Sequence, residues 1–446
     1  MSAPTLVIGE GIAGQAAALA LAERGIQVLV LAERPAEHSE SVSRHDGLDA
    51  ALGDDDSPER HLEDLLAAAG EAARPVLAPL TEAAPALVDA LCRLDVPFER
   101  ARNGELCLVK LPGSSRARSV HASCETARHV SRRLAARLLR HEVEGRLERR
   151  IGWRVIDLVR DGEGRVCGAV AQCFATGEIR GFAATGTCLA TGGHAGLFMA
   201  DTHAPAGLGA MTGIAVRHGA ELVAPGSVSH HPFCYRAGGF VRRLPRRIAA
   251  LGAEPEAGLL DLSKLDRAPL RAAAGSALEA YARATGADPY AEPIAVETMP
   301  DRTLGGLEIT PEHATSVAGL FAIGGVVAGY AGSPLTAALS TAKPLSEAMQ
   351  RYAEEHGAPE ERALDAVVKR VERRTEELLG REGDESVLEI ARELRRQPSR
   401  DELDALVARF EEAGLGDGSP RANGALSLAW ELEGAFVLAR RIAEAP

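Results

Sequence analysis

Three glycines spaced Gly9-x-Gly11-x-x-Gly14 stand between a short apolar run, Thr5 to Ile8, and an Ala/Leu-rich stretch. In that setting the first glycine permits a tight turn. The second lets the backbone approach a pyrophosphate, and the third lets helix and strand pack closely. The unpaired N–H groups at the start of the following helix, together with its dipole, favour a bound phosphate. Gly25 ends that helix, and a second apolar run from Val28 to Leu31 closes on Ala32, Glu33 and Arg34. A carboxylate there can reach a ribose hydroxyl, although Ala32 holds the usual position and Glu33 comes one residue later. Strand, turn, helix, strand and acid together predict a dinucleotide site that includes Gly9, Gly11, Ile12, Ala13, Gly14, Ala32, Glu33 and Arg34.

The remaining elements must position whatever reacts with that dinucleotide. A polar stretch, His38 to Leu48, has too many small polar residues for a core strand and reads as a loop lying against a ligand; Ser39, Ser41 and Gly47 are its candidate contacts. Residues 58–93 have helical spacing, and residues 125–141 form a basic amphipathic helix. From Trp153, the alternation in IDLVRDGEGRVCGAVAQCF predicts two strands joined at Gly-Glu-Gly, with Val155 in the first. Thr187 to Leu189 reads as a buried strand that breaks at Ala190, Thr191, Gly192 and Gly193. Residues 235–300 are less regular. Glycine-rich turns return at Gly305-Gly306 and Gly324-Gly325, and a helix starts near Leu335. Beyond residue 356 the pattern is charged and helical.

Composition narrows the function classes. At 446 residues the chain is long enough for two or three domains and a sizeable core. The formal net charge of −13, with no basic stripe interleaved with aromatics, excludes nucleic acid as a partner. Arg242 to Arg247 is the one basic run. It reads as a solvated loop, the alternative being an anion or partner contact. No apolar run reaches the ~18 residues of a membrane helix, and no cleavable leader precedes the first strand, so a cytoplasmic protein without membrane insertion is expected. The seven cysteines are scattered, as expected of reduced thiols, and hold no iron–sulfur centre of their own. No Asp/His/Cys grouping has metal-ligand spacing, and no Gly-x-Ser-x-Gly elbow supports hydrolase chemistry.

Five blocks in order resemble the flavoprotein subunits of succinate dehydrogenase and fumarate reductase, together with L-aspartate oxidase. They are GEGIAG; DGLDAALGDDDSPERHLEDLLAAAG (46–70); NGEL (103–106); LATGGHAGLF (189–198); and GIAVRHGAELV with SHHPF (213–233). LFAIGGV (320–326) is similar to a later turn that touches the flavin in many flavoproteins. The resemblance implies an α/β fold: a Rossmann-like FAD-binding domain (1–234 and 301–355), a reduced capping subdomain (235–300) and a C-terminal helical domain (356–446). It also implies FAD, with its adenosine half on the first turn. Val155, Ala190, Thr191, Gly192, Gly324, Gly325 and Leu335 join the cofactor contacts, and the ring lies between the 39–47 loop and the segment near 231.

Carried over residue by residue, His231 matches the family's substrate histidine, but the neighbouring threonine is Phe233. The second histidine falls on Asp301 and the carboxylate-binding arginine on Pro334; the proton-shuttling Arg-Gly-Glu-Gly block is not found. The histidine that carries covalent flavin falls on Glu40, with His38 and His45 out of register, so non-covalent FAD is expected. Catalytic candidates are therefore His231, Asp301 and Arg302. For each there is a plainer reading: His231 as a satisfied loop residue beside His230, Asp301 and Arg302 as a surface ion pair. His121 sits in a His-Ala block similar to that of aspartate oxidases, or simply starts a helix. An aspartate in place of a histidine repels carboxylates. The expected function is an oxidoreductase passing hydride through flavin N5, its small-molecule substrate unlike succinate or fumarate. The alternative is a non-catalytic or electron-relaying FAD subunit working with a redox partner, an iron–sulfur subunit being one candidate.

Overall fold

The computed structural model describes residues 3–43, 47–199, 207–357 and 362–445; Arg44, His45 and Asp46 of the predicted loop lie outside the described residues. A five-stranded parallel sheet carries the fold, ordered Leu320–Ala322, Thr187–Leu189, Thr5–Ile8, Val28–Ala32 and Leu147–Ile151. The first four strands are buried along their whole length, as unbroken apolar runs such as VLVLA require in a sheet covered on both faces. Helix Ile12–Glu23 covers one face, its alanines letting Thr126–Val143 and Ala342–His356 pack close. The predicted helix after the late glycine turn is two helices, Pro334–Ser340 and Ala342–His356.

The predicted hairpin exists as Trp153–Arg160 and Val166–Cys173, extended by Ile179–Ala183 into an antiparallel sheet. Helices Arg362–Leu379, Val387–Leu394, Arg400–Glu412 and Gly424–Glu444 share a core with its outer face, including Ile156, Val159, Phe410 and Trp430. Residues 58–93 form helices Pro58–Ala69 and Arg74–Arg93 around a short turn. By length and average composition alone Glu71–Arg93 would pass for a membrane-crossing helix, the one such helix among the described residues. Here Leu77, Leu80, Ala84, Val88 and Leu91 instead line the protein's cores.

Residues 235–300 are more ordered than their sequence pattern implies. Strands Val228–Ala237, Phe240–Arg243 and Glu297–Thr303 form one antiparallel sheet, and a 19-residue helix, Arg267–Thr285, packs against it. Asp266 caps that helix by accepting from Ala268 N, and Gly286 ends it at φ 78°. The core so formed runs from Phe233 and Tyr235 to Ile294 and Val296. The helix was hard to see because RAPLRAAAGSALEAYARAT has high helix propensity but a weak apolar stripe.

Candidate functional site

The ends of the parallel strands converge where an α/β sheet binds ligands, beyond their carboxyl edge. Gly9 follows the first strand at φ 107°, and a Cβ there would collide with Ala190 O. A Cβ on Gly14 would collide with Gly9 O, so this glycine is demanded by helix–strand packing. Gly11 differs: its nearest neighbour would be Ser41 Oγ at 3.1 Å, so it faces the loop rather than the core. Ser41 Oγ accepts from Ile12 N at 3.1 Å, and Ser39 Oγ lies 3.2 Å from it. Gln15 N is the first to reach back to the turn, at Gly11 O, which leaves the Ala13 and Gly14 amides to an outside acceptor.

The later glycines close around the same place. A Cβ on Gly324 (φ 76°) would lie 2.6 Å from that of Ala13, and one on Gly325 3.0 Å from Gly193 N. Thr191 and Gly192 lead into Gly193, which abuts Thr303. Ser333 Oγ donates to Gly47 O at 2.6 Å and caps Thr336 N, while Thr336 Oγ1 accepts from Asp49 N at 2.8 Å. The loop at Gly47 is thereby fastened to the helix that begins at Pro334. Val155 and Leu335 turn their side chains into the cores, so only their backbones could face a ligand.

Glu33 directly follows the second strand, and its Oε2 pairs with Arg154 at 2.7 Å, which also holds Glu431 at 2.7 Å; Arg34 is 3.9 Å from Oε1. A second acid, unnoticed within the GEGIAG turn, is Glu10. Burial pushes its pKa up, and Arg149 at 2.7 Å pulls against that. Ala32 is buried at the strand end. The glycines, the open helix N-terminus and the acid at the strand end fit an FAD adenosine–pyrophosphate half. Beneath the 46–70 block the buried Arg118 is bound by Asp56 and Asp64, each at 3.0 Å. The block's acids thus bracket an arginine that nothing in the local pattern singled out.

The catalytic candidates are not grouped as expected. His231 is buried in strand Val228–Ala237; its Nδ1 accepts from Phe233 N at 3.1 Å, so in the neutral ring Nε2 carries the hydrogen. Asp301 is only 2% exposed, which rules out its reading as half of a surface ion pair. Register jumps from Ser229↔Arg302 to His230↔Pro300, making Asp301 the extra residue of a β-bulge, a device that re-aims a side chain. Arg243 Nε and Arg246 Nη2 both reach its carboxylate at 3.0 Å. Burial alternates along Glu297–Thr303, so Arg302 lies on the opposite face from Asp301.

The Arg242–Arg247 run is likewise not a solvated loop. Arg246 also donates to His230 O at 2.8 Å, and Arg243 lies 3.5 Å from Glu40. Arg247, 7% exposed, forms a two-pronged pair with Glu99 at 2.9 and 2.8 Å and donates to Ser123 O. These arginines are the functional candidates that reading by charge run missed. Their signal was spacing, since Arg243, Arg246 and Arg247 fall on a strand end and a short 3-10 turn, Arg246–Leu251. His194 is buried, with Nε2 2.8 Å from Pro225 O. Glu40 opens a short helix, Glu40–Ser43, and His38 ends the turn before it. Among the described residues no group of three or more His, Cys, Asp or Glu could hold a metal.

Residues 5–247 match the FAD binding domain family. The chain is 26% identical to a Bacillus subtilis succinate dehydrogenase flavoprotein subunit over 72% of its length, a match spanning 63% of that subunit and so under two thirds of it. It is 30% identical to a Mesorhizobium japonicum L-aspartate oxidase, covering 77% of this chain and 74% of the oxidase. Its fold follows a solved E. coli quinol fumarate reductase FrdA, with a TM-score of 0.86 at 21% identity over 100% of this chain and 88% of that one. The chain therefore belongs to the FAD-binding family of the succinate dehydrogenase, fumarate reductase and L-aspartate oxidase flavoproteins, and its cofactor is FAD.

Proposed function

We propose that the chain is an FAD-dependent oxidoreductase that exchanges a hydride between flavin N5 and a small acid other than succinate or fumarate. The observation that carries this reading is Asp301, buried between Arg243 and Arg246. A dicarboxylate needs two uncompensated cationic ends, whereas here buried Asp301 takes up one of the two positive charges and the more exposed Glu40, 3.5 Å from Arg243, offsets part of the other. The remainder suits a monoanion. FAD, held without a covalent link, supplies the redox step. Gly9, Gly11, Ile12, Ala13 and Gly14 would hold its pyrophosphate, and Ala32, Glu33 and Arg34 its ribose. Ser39, Ser41, Gly47, Val155, Ala190, Thr191, Gly192, Gly324, Gly325 and Leu335 would line the rest. His231, kept in one tautomer by Phe233 N, orients the substrate as a hydrogen-bond donor. Arg243 and Arg246 hold its acid group, and Arg302 belongs to the supporting strand.

The test is anaerobic: FAD-loaded protein is mixed with succinate and with monocarboxylates while the flavin's visible band is followed. Bleaching by a monocarboxylate and not by succinate is expected, and bleaching by succinate overturns the reading. The second reading, an electron-relaying subunit, is favoured by the Bacillus subtilis relative, itself a flavoprotein subunit. It predicts reduction only by a redox protein such as an iron–sulfur partner.

A further inference from the structure

A buried histidine outside the residues assigned so far has both ring nitrogens without a hydrogen-bond partner among the described residues. It is His121, only 2% exposed. Its ring abuts Gly47 of the cofactor loop, for a Cβ on Gly47 would meet its Cε1 at 2.6 Å and its Nδ1 at 2.8 Å. Burying two unbonded ring nitrogens is costly, at about 1–3 kcal/mol for each group left unsatisfied. A purely structural residue here would more cheaply be a leucine or phenylalanine. The residue's backbone is anchored: His121 O accepts from Glu99 N at 2.8 Å, and Glu99 in turn pairs with Arg247.

Consecutive residues join this histidine to the acid-binding arginines. Arg246 binds Asp301 and His230 O, while Arg247 binds Glu99 and Ser123 O, two residues beyond His121. One short turn thus ties the cationic pair to the neighbourhood of the unsatisfied imidazole. Burial, and then the charge of Arg247, lower the His121 pKa to about 3, so the ring is neutral at any working pH. A neutral imidazole offers one donor and one acceptor, which suits a hydroxyl or a carbonyl. It is too weak a base to remove a proton from a substrate carbon.

We propose that His121 is a specificity residue that reads a neutral hydroxyl or carbonyl beside the carboxylate of the substrate, making the substrate class a 2-hydroxy or 2-oxo monocarboxylate. The proposal rests on the hydride-transfer reading above and goes further by naming the substrate's second polar group. A site that hydrogen-bonds a hydroxyl discriminates strongly against the analogue lacking it, because its own polar atoms are then left unpaired.

The test uses FAD-loaded full-length protein with lactate, propionate and succinate as probes, reading the perturbation of the oxidised flavin band as a binding signal. Wild type should bind lactate at least ten-fold tighter than propionate. His121→Phe fills the volume without a donor or acceptor and should erase that preference while keeping its FAD; His121→Asn, which keeps a donor and an acceptor, should restore part of it. FAD content, measured after denaturation, separates misfolding from lost discrimination. An unchanged preference in His121→Phe, or none in wild type, overturns the role of His121 while leaving hydride transfer from another acid standing. Tightest binding and flavin bleaching by succinate overturn the parent reading and this proposal together. Should His121→Phe lose its FAD, the preference of His121→Asn decides: retained discrimination supports the proposal and complete loss overturns it.

Discussion

Arg246 Nη2 lies 3.0 Å from Asp301 Oδ2, and the same nitrogen donates to His230 O at 2.8 Å. One guanidinium therefore joins the bulged acid to the residue before His231. The bulge is what aims Asp301 at this arginine and at Arg243, so an acid that would repel a carboxylate instead tempers two cations.

Removing that acid should change which anions bind. In Asp301→Asn the two arginines lose their fixed counter-charge while the side-chain volume is kept. Succinate should then bind roughly ten-fold tighter, about 1.4 kcal/mol. Titrating oxidised, FAD-loaded protein and following the flavin band measures it. Unchanged succinate affinity would show that Asp301 does not set the charge of the site.

The glycines of the first turn should separate cofactor loss from misfolding. In Gly14→Ala the new methyl meets Gly9 O, and overpacking of this kind costs roughly 2–3 kcal/mol. Its melting temperature should fall. At Gly11 a new Cβ has the Ser41 and Ser39 side chains as its nearest neighbours rather than backbone, so Gly11→Val should fold yet purify with little FAD. Far-UV circular dichroism melts together with flavin absorbance test the pair, and a yellow, normally loaded Gly11→Val protein would remove the turn from the cofactor site.

Much of this organisation was legible because it is periodic. Unbroken apolar runs announced the buried strands, and alternation announced the hairpin from Trp153 to Cys173. What stayed hidden depends on side chains that long-range contacts turn inward. Arg118 looked like any polar loop residue until Asp56 and Asp64 closed on it, and Arg247 looked solvated until Glu99 did. A bulge leaves no trace in hydrophobic patterning, so Asp301 and Arg302 read as neighbours although they face opposite ways. His121 was visible as a motif residue; only its unsatisfied nitrogens and its contact with Gly47 mark it as more than a helix start.

The contact between the antiparallel sheet and the C-terminal helices should be acid-sensitive. Asp157 receives Arg217 and His218 at 2.8 Å and Arg370 from the first C-terminal helix. Burial raises its pKa, but the His218 hydrogen bond and the charge of Arg217 outweigh this and hold it near 2, against an ordinary 3.8. A depressed folded-state pKa stabilises the fold above the unfolded value and loses that contribution as pH falls through the folded one. The difference, 3.8 less 2 at about 1.4 kcal/mol per unit, is roughly 2 kcal/mol lost between about pH 4 and pH 2. Asp157→Asn should be less stable than wild type at pH 7 and show a smaller further loss over that interval. Parallel denaturant curves for the two proteins below pH 4 would contradict this.

Glu33 is tethered, and the tether should matter for the adenosine end of FAD. Its Oε2 is engaged by Arg154 at 2.7 Å, which leaves Oε1 as the oxygen better placed for a ribose hydroxyl. Arg154 is itself shared with Glu431 on the last helix, so the acid's position depends on a residue nearly four hundred positions away in sequence. Arg154→Met keeps the stem but drops both ion pairs, releasing Glu33 and leaving Glu431 its hydrogen bond from Leu208 N. FAD affinity should fall roughly five- to ten-fold, about 1 kcal/mol, with Glu33→Gln weaker by a similar amount. If Glu33 acts only through its tether to Arg154, the double variant should be no worse than either single one. Additive losses in FAD dissociation constants, measured by flavin fluorescence, would show instead that the two residues serve the cofactor independently.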